Sequence, residues 1–363
     1  MKSQQIDAQK LVDIGYDPGH SSCGSFMVVD HAILEQMSRI EGLTVIPLAQ
    51  AFEKFPHVKE KLYFSLVHRD QNEHTLMAAE NEPVGYYIRV EEGVYIDDPL
   101  QAAFLFETAG TTQIIHNIIE ICEGARLNIV NGCATAHSQS AGTHIGITEI
   151  YLGRNSSLGY TMIHNWGIGV DVYPVSAIEV GENASYLSHY VGMTSVKKIT
   201  SDPVAYVRKD ASARFYSIIF AKPGSFFDMG ARAILQGEGA GGEIISRVVS
   251  DGGTVISRQM LSGEQADTIG HMECSGLLLD DKGSIHSIPE LKGGHPDVNL
   301  SHEAAVGKIS SEEINYLMTR GLSEEQARSL IIRGFLDIRI EGLPASVQAL
   351  MEEVIARSVE GSI

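Results

Sequence analysis

The chain has 363 residues, of which 44% are hydrophobic and 20% are charged, and its formal net charge is −19. This length allows one large core or two or three modest domains. Nucleic acids and anionic membrane surfaces select for Lys and Arg patches, so the acidic balance argues against both as partners. No apolar segment suggests a secretion signal or a spanning helix, and the sequence therefore predicts a soluble, cytoplasmic protein.

The cysteines of the chain are widely scattered, and none lies in a C-x-x-C motif. They are Cys23, Cys122, Cys133 and Cys274. In a large chain without a secretion signal, this distribution predicts free thiols rather than a disulfide framework. A buried and inert thiol is the commoner fate of such residues, although the set also suits metal or sulfur chemistry.

Residues 1–84 are predicted to form a mixed, mostly helical segment. Apolar residues recur at helical spacing from Ala32 to Ile40 and from Leu48 to Val58, as expected for amphipathic helices. This segment contains little candidate chemistry, and Cys23, which lies in a loop rich in turn residues, is assigned no role.

Residues 85–295 consist of short segments rich in Val, Ile, Tyr and Thr, separated by Gly, Asn and Asp. A turn motif recurs at intervals of roughly 27–30 residues, a spacing typical of solenoids. Its copies are Glu123–Ala125, Gly153–Ser156, Gly181–Ala184, Lys209–Ala211 and Gly237–Ala240. Because no repeat has room for a helix, the pattern predicts a parallel β-helix, with a β-sandwich as the alternative.

Residues 296–363 are predicted to form a C-terminal helical domain. The segments Ser310–Glu313 and Ser323–Gln326 have the pattern of capping boxes, and Pro344 is expected to open a last amphipathic helix. The hairpin Ser311 to Phe335 is too apolar to bury all of its hydrophobic residues on one face. It is therefore expected to pack on the end of the solenoid or to dock in the groove of a partner.

Three residues near the end of the repeats are of types that ligate iron, namely Cys274, His302 and Glu303. For a lone Cys in a strand, a buried structural thiol is the commoner role. The adjacent His302–Glu303 pair favours a ligand role, because thiolate, imidazole and carboxylate together can hold iron and leave exchangeable positions. Such incomplete ligation suits a protein that assembles a cluster better than one that stores it.

The order of these motifs resembles the core of the SufB/SufD family, the scaffold proteins of the SUF machinery for iron–sulfur cluster assembly. The matching segments are Glu273–Cys274, Ser301–Ala304, Tyr316–Leu322 and Gly334–Phe335. The resemblance covers nearly the whole chain and is strongest from Gly237 to Phe335. It implies a central right-handed parallel β-helix between the N-terminal segment and the C-terminal helical domain.

The resemblance also implies roles for individual residues. Cys274 matches the cluster-ligating cysteine of the family, and His302 and Glu303 match the adjacent pair that acts with it. These residues are thus the predicted metal and cluster ligands. The C-terminal helices match the region that binds the ABC-type ATPase SufC, and the predicted docking residues are Tyr316, Leu317, Arg320, Leu322, Arg333 and Phe335.

Cys133 lies in a segment that resembles a Gly-Cys-Thr-Ala motif of the family, in which the cysteine accepts persulfide sulfur. A histidine near a thiol favours the thiolate, which is the form that accepts sulfur. His144, His164 and Trp166 lie at spacings compatible with neighbouring coils, and they are the predicted lining of an internal channel from Cys133 towards Cys274. The family motif has glutamine where this chain has His164, so the match is weaker there.

Two glycine-containing segments do not predict nucleotide binding. Gly237–Gly242 matches G-x-G-x-x-G but leads into a strand pattern, whereas the dinucleotide fingerprint opens a helix. Gly307–Lys308 is followed by Ile309, where a Walker A motif requires Ser or Thr. We therefore expect that this chain binds no nucleotide and that a separate subunit hydrolyses ATP.

Together these observations predict a non-catalytic, homodimeric scaffold on which a transient iron–sulfur cluster is assembled. The expected partners are two copies of a SufC-like ATPase, a sulfur donor and recipient apoproteins. The short chain, with Cys274, His302 and Glu303 all present, resembles the SufB-like form of minimal two-component systems. Two alternatives stay open, namely a SufD-like structural partner without its own cluster and, less favoured, a β-helix carbohydrate-active enzyme.

Overall fold

Two β-sheets wound into one parallel solenoid form the body of the protein. The structure is a computed structural model, and it describes residues 8–17, 21–135 and 141–336 together with Ala349 and Glu352. The first sheet contains, in spatial order, β2 (Ala32–Ser38), β1 (Gly24–Val29), β5 (Leu100–Phe106), β7 (Arg126–Thr135), β9 (Ser157–Asn165), β11 (Ser185–Gly192), β14 (Ser212–Ala221), β16 (Gly241–Ser250), β18 (Ile269–Leu278) and β20 (Asn299–Lys308). The second sheet contains, in chain order, β3 (Leu43–Pro47), β4 (Tyr86–Val90), β6 (Thr112–Ile121), β8 (Ala141–Leu152), β10 (Gly169–Val180), β12 (Lys198–Ser201), β13 (Val204–Val207), β15 (Phe226–Leu235), β17 (Thr254–Gly263) and β19 (Ser284–Gly293). From β4 onward the chain passes alternately between the sheets, except that β12 and β13 follow one another in the second sheet, and neighbouring strands are parallel. This arrangement confirms the predicted β-helix and makes the sandwich alternative wrong.

The recurrent turn motif stacks the coils at one corner of the solenoid. At the same place in successive turns stands a residue with φ between 53° and 70°, and these residues are Gly93, Gly124, Asn155, Asn183, Asp210, Gly239 and Asp267. Successive turns are joined by backbone hydrogen bonds, such as the one from the Asn155 amide to the Glu182 carbonyl at 2.9 Å. Glycine, asparagine and aspartate reach this left-handed conformation most easily, so the sequence repeat sets the spacing of the coils.

The interior of the solenoid is filled by every second side chain of each strand. Along β15, for example, Phe227, Met229 and Leu235 point inward and are buried, while the intervening residues are partly exposed. This alternation is the period-2 geometry of a strand. Parallel pairing in register then aligns the inward positions of successive coils into columns that run along the solenoid axis.

The N-terminal segment contains more strand than its sequence pattern predicts. The helix expected over Ala32 to Ile40 is wrong, because Ala32–Ser38 forms strand β2, antiparallel to β1. The two strands are joined at Asp30–His31, where Asp30 has φ of 51°, as in a tight hairpin. Pairing with β1 therefore outweighs the helical spacing of the apolar residues. The second expected helix is confirmed in part by α2 (Leu48–Lys54).

A short helical layer covers the outer face of the second sheet near the N-terminal end. It contains a π-helix (Val58–Leu62) and α3 (Glu73–Glu80). The carboxylate of Glu149 is fully buried and accepts hydrogen bonds from the backbone amides of residues 64–67 at 2.7 to 3.1 Å. His116 Nε2 lies 2.8 Å from the same carboxylate. This carboxylate fixes the covering segment to β8.

The C-terminal helical hairpin is confirmed. Besides α1 (Ala8–Val12), the remaining helices are α4 (Ser311–Thr319) and α5 (Glu324–Leu336). The predicted capping box at α5 is present, since the Ser323 amide donates to Gln326 Oε1 and the Gln326 amide donates to Ser323 Oγ. At α4, Ser310 Oγ accepts from the Glu312 amide at 3.1 Å, which is a simple N-cap.

The helical structure that was expected from residue 296 begins only at α4. Residues Asn299–Lys308 form β20 instead, which pairs in register with the whole of β18 and ends the first sheet. Pairing with a complete preceding strand explains why the chain continues the solenoid there. The division into domains at residues 84 and 295 stays a prediction. The helix expected from Pro344 lies outside the described residues, apart from helical Ala349 and Glu352.

Within the described ranges, none of the helices has both the length and the apolar character needed to cross a bilayer.

Candidate functional site

Cys274 lies on β18 and points into the solenoid, one strand away from the open end of the first sheet. Its side chain is buried, with 3% of the residue exposed. Burial raises the pKa of the thiol, while the hydroxyls of Ser287 and Ser257 on the second sheet act to lower it. These two serines are themselves paired in register on β19 and β17. The thiol therefore faces a small group of hydroxyls on the opposite wall.

His302 shares the inward face with Cys274. It pairs with Met272 in the register of β18 and β20, so it lies two positions before Cys274 along the same face. Its Nε2 is buried and has no hydrogen-bond partner within the described part of the chain. A buried nitrogen without a partner is costly. This nitrogen is thus available to a ligand at the end of the solenoid.

Glu303 lies on the opposite face of β20 from His302, because successive side chains of a strand alternate. It is exposed and pairs in register with Glu273, whose side chain also points outward. Glu273 accepts a hydrogen bond from Arg247 Nη1, and this bond lowers the pKa of the Glu273 carboxyl. The structure therefore brings Cys274 and His302 to one face and places Glu303 on the other.

The three predicted ligands do not form a closed site in one chain. Among the residues described, no three His, Cys, Asp or Glu side chains converge closely enough to hold a metal ion. The ligand roles of Cys274, His302 and Glu303 stay predictions. One chain offers an inward thiol–imidazole pair next to an open strand edge and a carboxylate on its outer side.

Cys133 lies on β7, and its side chain points into the closed part of the solenoid. Its Sγ is 3.8 Å from Met162 Sδ, and His164 stands opposite it in the register of β9. Burial raises the pKa of Cys133 well above its usual value and lowers the pKa of His164 to about 3. Both side chains are therefore neutral at rest.

An internal cavity of about 80 Å³ extends from the neighbourhood of Cys133 towards that of Cys274. At one end its wall contains Met162 and His164, and at the other end it contains Ser257 and Gln259. Between them the wall is largely apolar, but it also contains hydroxyl-bearing and sulfur-bearing residues, namely Ser176, Ser188, Tyr190, Ser201, Ser217 and Met229. The cavity thus approaches both thiols through a direct neighbour of each.

The predicted channel residues lie around this cavity in different ways. His164 is in the wall itself, and its Nδ1 lies 3.2 Å from the Tyr190 hydroxyl. Trp166 packs between His144 and His164, with ring centres 4.8 and 5.5 Å away. His144 Nδ1 lies 2.9 Å from Gln113 Oε1. Their role as channel lining stays a prediction, with His164 the best placed.

A column of inward residues that the motif analysis missed leads directly to Cys274. In register along the first sheet stand Asn131, Met162, Tyr190, Ser217, Ser246 and Cys274. Ser217 Oγ and Ser246 Oγ are 3.0 Å apart. Single serines in separate strands form no recognisable sequence motif. The only signal that could have predicted this column is the nearly equal spacing of the coils.

The predicted docking residues lie on the helical hairpin with different exposure. Tyr316, Arg320 and Arg333 are exposed, whereas Leu317, Leu322 and Phe335 are half-buried. The Arg320 guanidinium lies 5.2 Å from the centre of the Tyr316 ring. A surface groove of about 510 Å³ runs beside them, with Leu322, Leu330 and Arg333 in its wall. The hairpin therefore has an accessible outer side.

Comparison with known proteins identifies similar sequences. The SufBD core domain of SUF system FeS cluster assembly matches residues 104–335. An iron-sulfur cluster assembly SufBD family protein of Archaeoglobus fulgidus is 41% identical over 356 residues, which are 98% of this chain and 95% of the relative. One of Methanothermobacter thermautotrophicus is 37% identical, covering 97% of this chain and 88% of the relative. One of Pyrococcus horikoshii is 29% identical, covering 92% and 75%.

Proposed function

This chain belongs to the SufBD family of iron–sulfur cluster assembly proteins, and we propose that it is a homodimeric scaffold on which a cluster forms. The observation that carries this proposal is that Cys274 and His302 lie on one inward face beside an open strand edge, where His302 Nε2 has no hydrogen-bond partner among the described residues. Thiolate and imidazole are both iron ligands. The cluster is cargo that is built and passed on, so the chain acts as a scaffold and not as an enzyme.

The dimer forms through the open end of the solenoid. Strands β19 and β20 end the two sheets, and nearly every residue of both is exposed or half-exposed. Large apolar side chains are accessible there, with 62% of Ile269 and 47% of Val306 exposed. A free strand edge is a template for pairing with another chain. A two-fold axis at this end would supply each candidate ligand twice and complete a site that one chain leaves open.

Sulfur enters at Cys133 and moves through the solenoid. The Cys133 thiolate takes the outer sulfur of a donor persulfide, and the donor leaves as a thiol. Five strand spacings of about 4.8 Å separate Cys133 from Cys274, a path of roughly 24 Å. The cavity wall between them supplies hydroxyls that can donate hydrogen bonds to an anionic sulfur species. The cavity and the column of inward hydroxyls support this route.

A SufC-like ABC ATPase docks on the hairpin formed by α4 and α5, one copy on each scaffold subunit. The exposed Tyr316, Arg320 and Arg333 and the adjacent groove provide an aromatic and cationic surface of the kind enriched at interfaces. ATP hydrolysis then takes place in the partner subunit. Recipient apoproteins would receive the finished cluster from the site at the dimer interface.

Anaerobic reconstitution with ferrous iron and sulfide tests the proposal. The dimeric wild-type protein is expected to give a stable chromophore with a Mössbauer signature of an iron–sulfur cluster. Cys274→Ala should reduce bound iron to background, while Cys122→Ala, which removes a half-buried thiol outside the site, should leave it unchanged. His302→Ala should weaken retention without abolishing it, because the thiolate remains.

A chromophore that survives in Cys274→Ala would contradict the assigned site. Absence of a chromophore in the wild type, with the ATPase present, would favour the SufD-like structural partner. Family membership argues against the carbohydrate-active alternative. A lack of activity on acidic polysaccharides would reject it.

A further inference from the structure

Helix α5 packs on the outer face of the first sheet, over the strands that lead to the candidate site. Ile332 and Leu336 are buried in one apolar cluster with Ile218, Val249 and Leu277 of β14, β16 and β18. The hairpin is therefore in contact with β16, the neighbour in the sheet of the strand that contains Cys274. A movement of the hairpin has a short route to that strand.

Arg247 lies where this apolar contact meets the polar part of the sheet. Its guanidinium carbon is 6.0 Å from the centre of the Phe335 ring on α5. Its Nη1 donates to Glu273 Oε1, and Ser275 Oγ donates to the same oxygen at 3.1 Å. Only 21% of the Arg247 side chain and 24% of the Glu273 side chain are exposed. One side chain thus bridges α5, β16 and β18 in a place largely shielded from solvent.

Glu273 is joined to both halves of the candidate site. It precedes Cys274 in the chain, so one peptide unit separates the residue held by Arg247 from the inward thiol. It also pairs in register with Glu303 on β20. The ion pair that holds the Glu273 side chain therefore lies next to both the inward thiol and the end strand.

We propose that Arg247 is a positioning residue that couples the α4–α5 hairpin to the cluster strand β18. The Phe335 ring positions the Arg247 guanidinium, and the guanidinium binds the Glu273 carboxylate. Glu273 in turn keeps the neighbouring Cys274 buried. A partner that draws the hairpin away from the sheet separates Phe335 from Arg247 and exposes Cys274. This inference rests on the proposed function, because it assigns the hairpin and Cys274 the roles given there.

A double-mutant cycle on the full-length protein without iron tests the coupling. The readout is the rate at which iodoacetamide alkylates Cys274 at one pH, followed by mass spectrometry of the Cys274 peptide. Phe335→Leu keeps an apolar side chain but removes the ring, and it is expected to speed alkylation about threefold. In an Arg247→Gln background the same change should have an effect of less than about 1.5-fold.

Arg258 provides a matched control. It pairs with Asp228 on the neighbouring coil of the second sheet, so Arg258→Gln removes a similar ion pair, whereas α5 packs on the first sheet. In that background, the threefold effect of Phe335→Leu should persist. Arg247→Lys, which keeps the charge but lacks the planar face, should behave like Arg247→Gln.

Equal effects of Phe335→Leu with and without Arg247, or no effect in either background, would overturn the proposal. Hydrogen exchange at residues 273–275 gives a second reading, which should rise with Phe335→Leu only while Arg247 is present. The two proposals fail separately. If the effects of the two substitutions on the alkylation rate are independent while the cluster still forms, the coupling alone is rejected. If the effect of Phe335→Leu depends on Arg247 but no cluster forms, the scaffold role is rejected.

Discussion

The two ends of the solenoid surround their thiols in opposite ways. Cys133 stands at the closed end, beneath coils whose inward residues include Tyr86, Phe26 and Phe104 in mutual ring contact. Cys274 stands one strand from the open end, where Ile269 and Val306 are largely exposed. Both thiols are buried, but only the second is backed by serine hydroxyls that lower its pKa against the effect of burial.

The two thiols therefore differ in the groups that set their pKa values. At the closed end, burial alone raises the pKa of Cys133, so this thiol is protonated at neutral pH. At the open end, burial also raises the pKa of Cys274, and the hydroxyls of Ser257 and Ser287 offset part of that rise.

The largest expected difference between the ends is in packing. Phe104→Ala, next to Cys133 in register, removes a fully buried ring and should lower the free energy of unfolding by about 4 kcal/mol. Ile269→Ala at the open end should change it by about 0.5 kcal/mol or less, because that side chain is already exposed. Urea unfolding of the two variants checks this, and similar losses in both would show that the open end is covered in solution.

A smaller effect is expected from acidification, because the closed half buries neutral histidines. Burial lowers the pKa of His144 and of His164 to about 3, and the unfolded chain therefore binds more protons below pH 6.5. Stability should be complete above that pH and should fall as the pH drops towards 3. Between pH 7.5 and 5.5 each of these histidines should account for about 1.4 kcal/mol.

Urea unfolding at both pH values measures this loss, and a single substitution assigns it. His164→Gln should remove about 1.4 kcal/mol of the pH dependence. His286→Gln, at an exposed position of β19, should leave the dependence as it is in the wild type. An unchanged pH dependence in His164→Gln would mean that His164 does not stay neutral in the folded protein.

The smallest expected effect concerns the hydroxyls at the open end. Ser257→Ala removes a hydroxyl that lowers the pKa of Cys274, so that pKa should rise. Loss of about 1 kcal/mol of hydrogen bonding should slow alkylation of Cys274 about fivefold near pH 8. The alkylation rates of the wild type and of Ser257→Ala should become equal at a pH at which Cys274 is ionised in both proteins.

Ser201→Ala is the matched control for this measurement. Ser201 stands in the same inward column of the second sheet as Ser257, with Met229 between them. Its removal should leave the alkylation rate of Cys274 unchanged. A slower rate in both variants would indicate a general effect on the cavity instead of a contact with the thiol.

Local chemistry in the sequence determined the solenoid and the hairpin. Gly, Asn and Asp recur where the backbone needs a positive φ angle, so the turn motif alone predicted stacked coils. The capping pattern of Ser323 with Gln326 likewise predicted the start of α5. The same reasoning failed for Ala32–Ser38, because a strand there is stabilised by pairing with β1, which helical spacing does not reveal.

Only the tertiary structure decided which face each candidate residue occupies. Sequence placed His302 and Glu303 side by side, but the register of β20 on β18 turns one inward and the other outward. It also gave no sign that Ser217 and Ser246 stand in the column of Cys274, or that Arg247 joins Phe335 to Glu273. The physical reason is that residue type and spacing act within a few residues, whereas these contacts join side chains 26 to 88 positions apart, brought together by the pitch of the coils and the packing of α5.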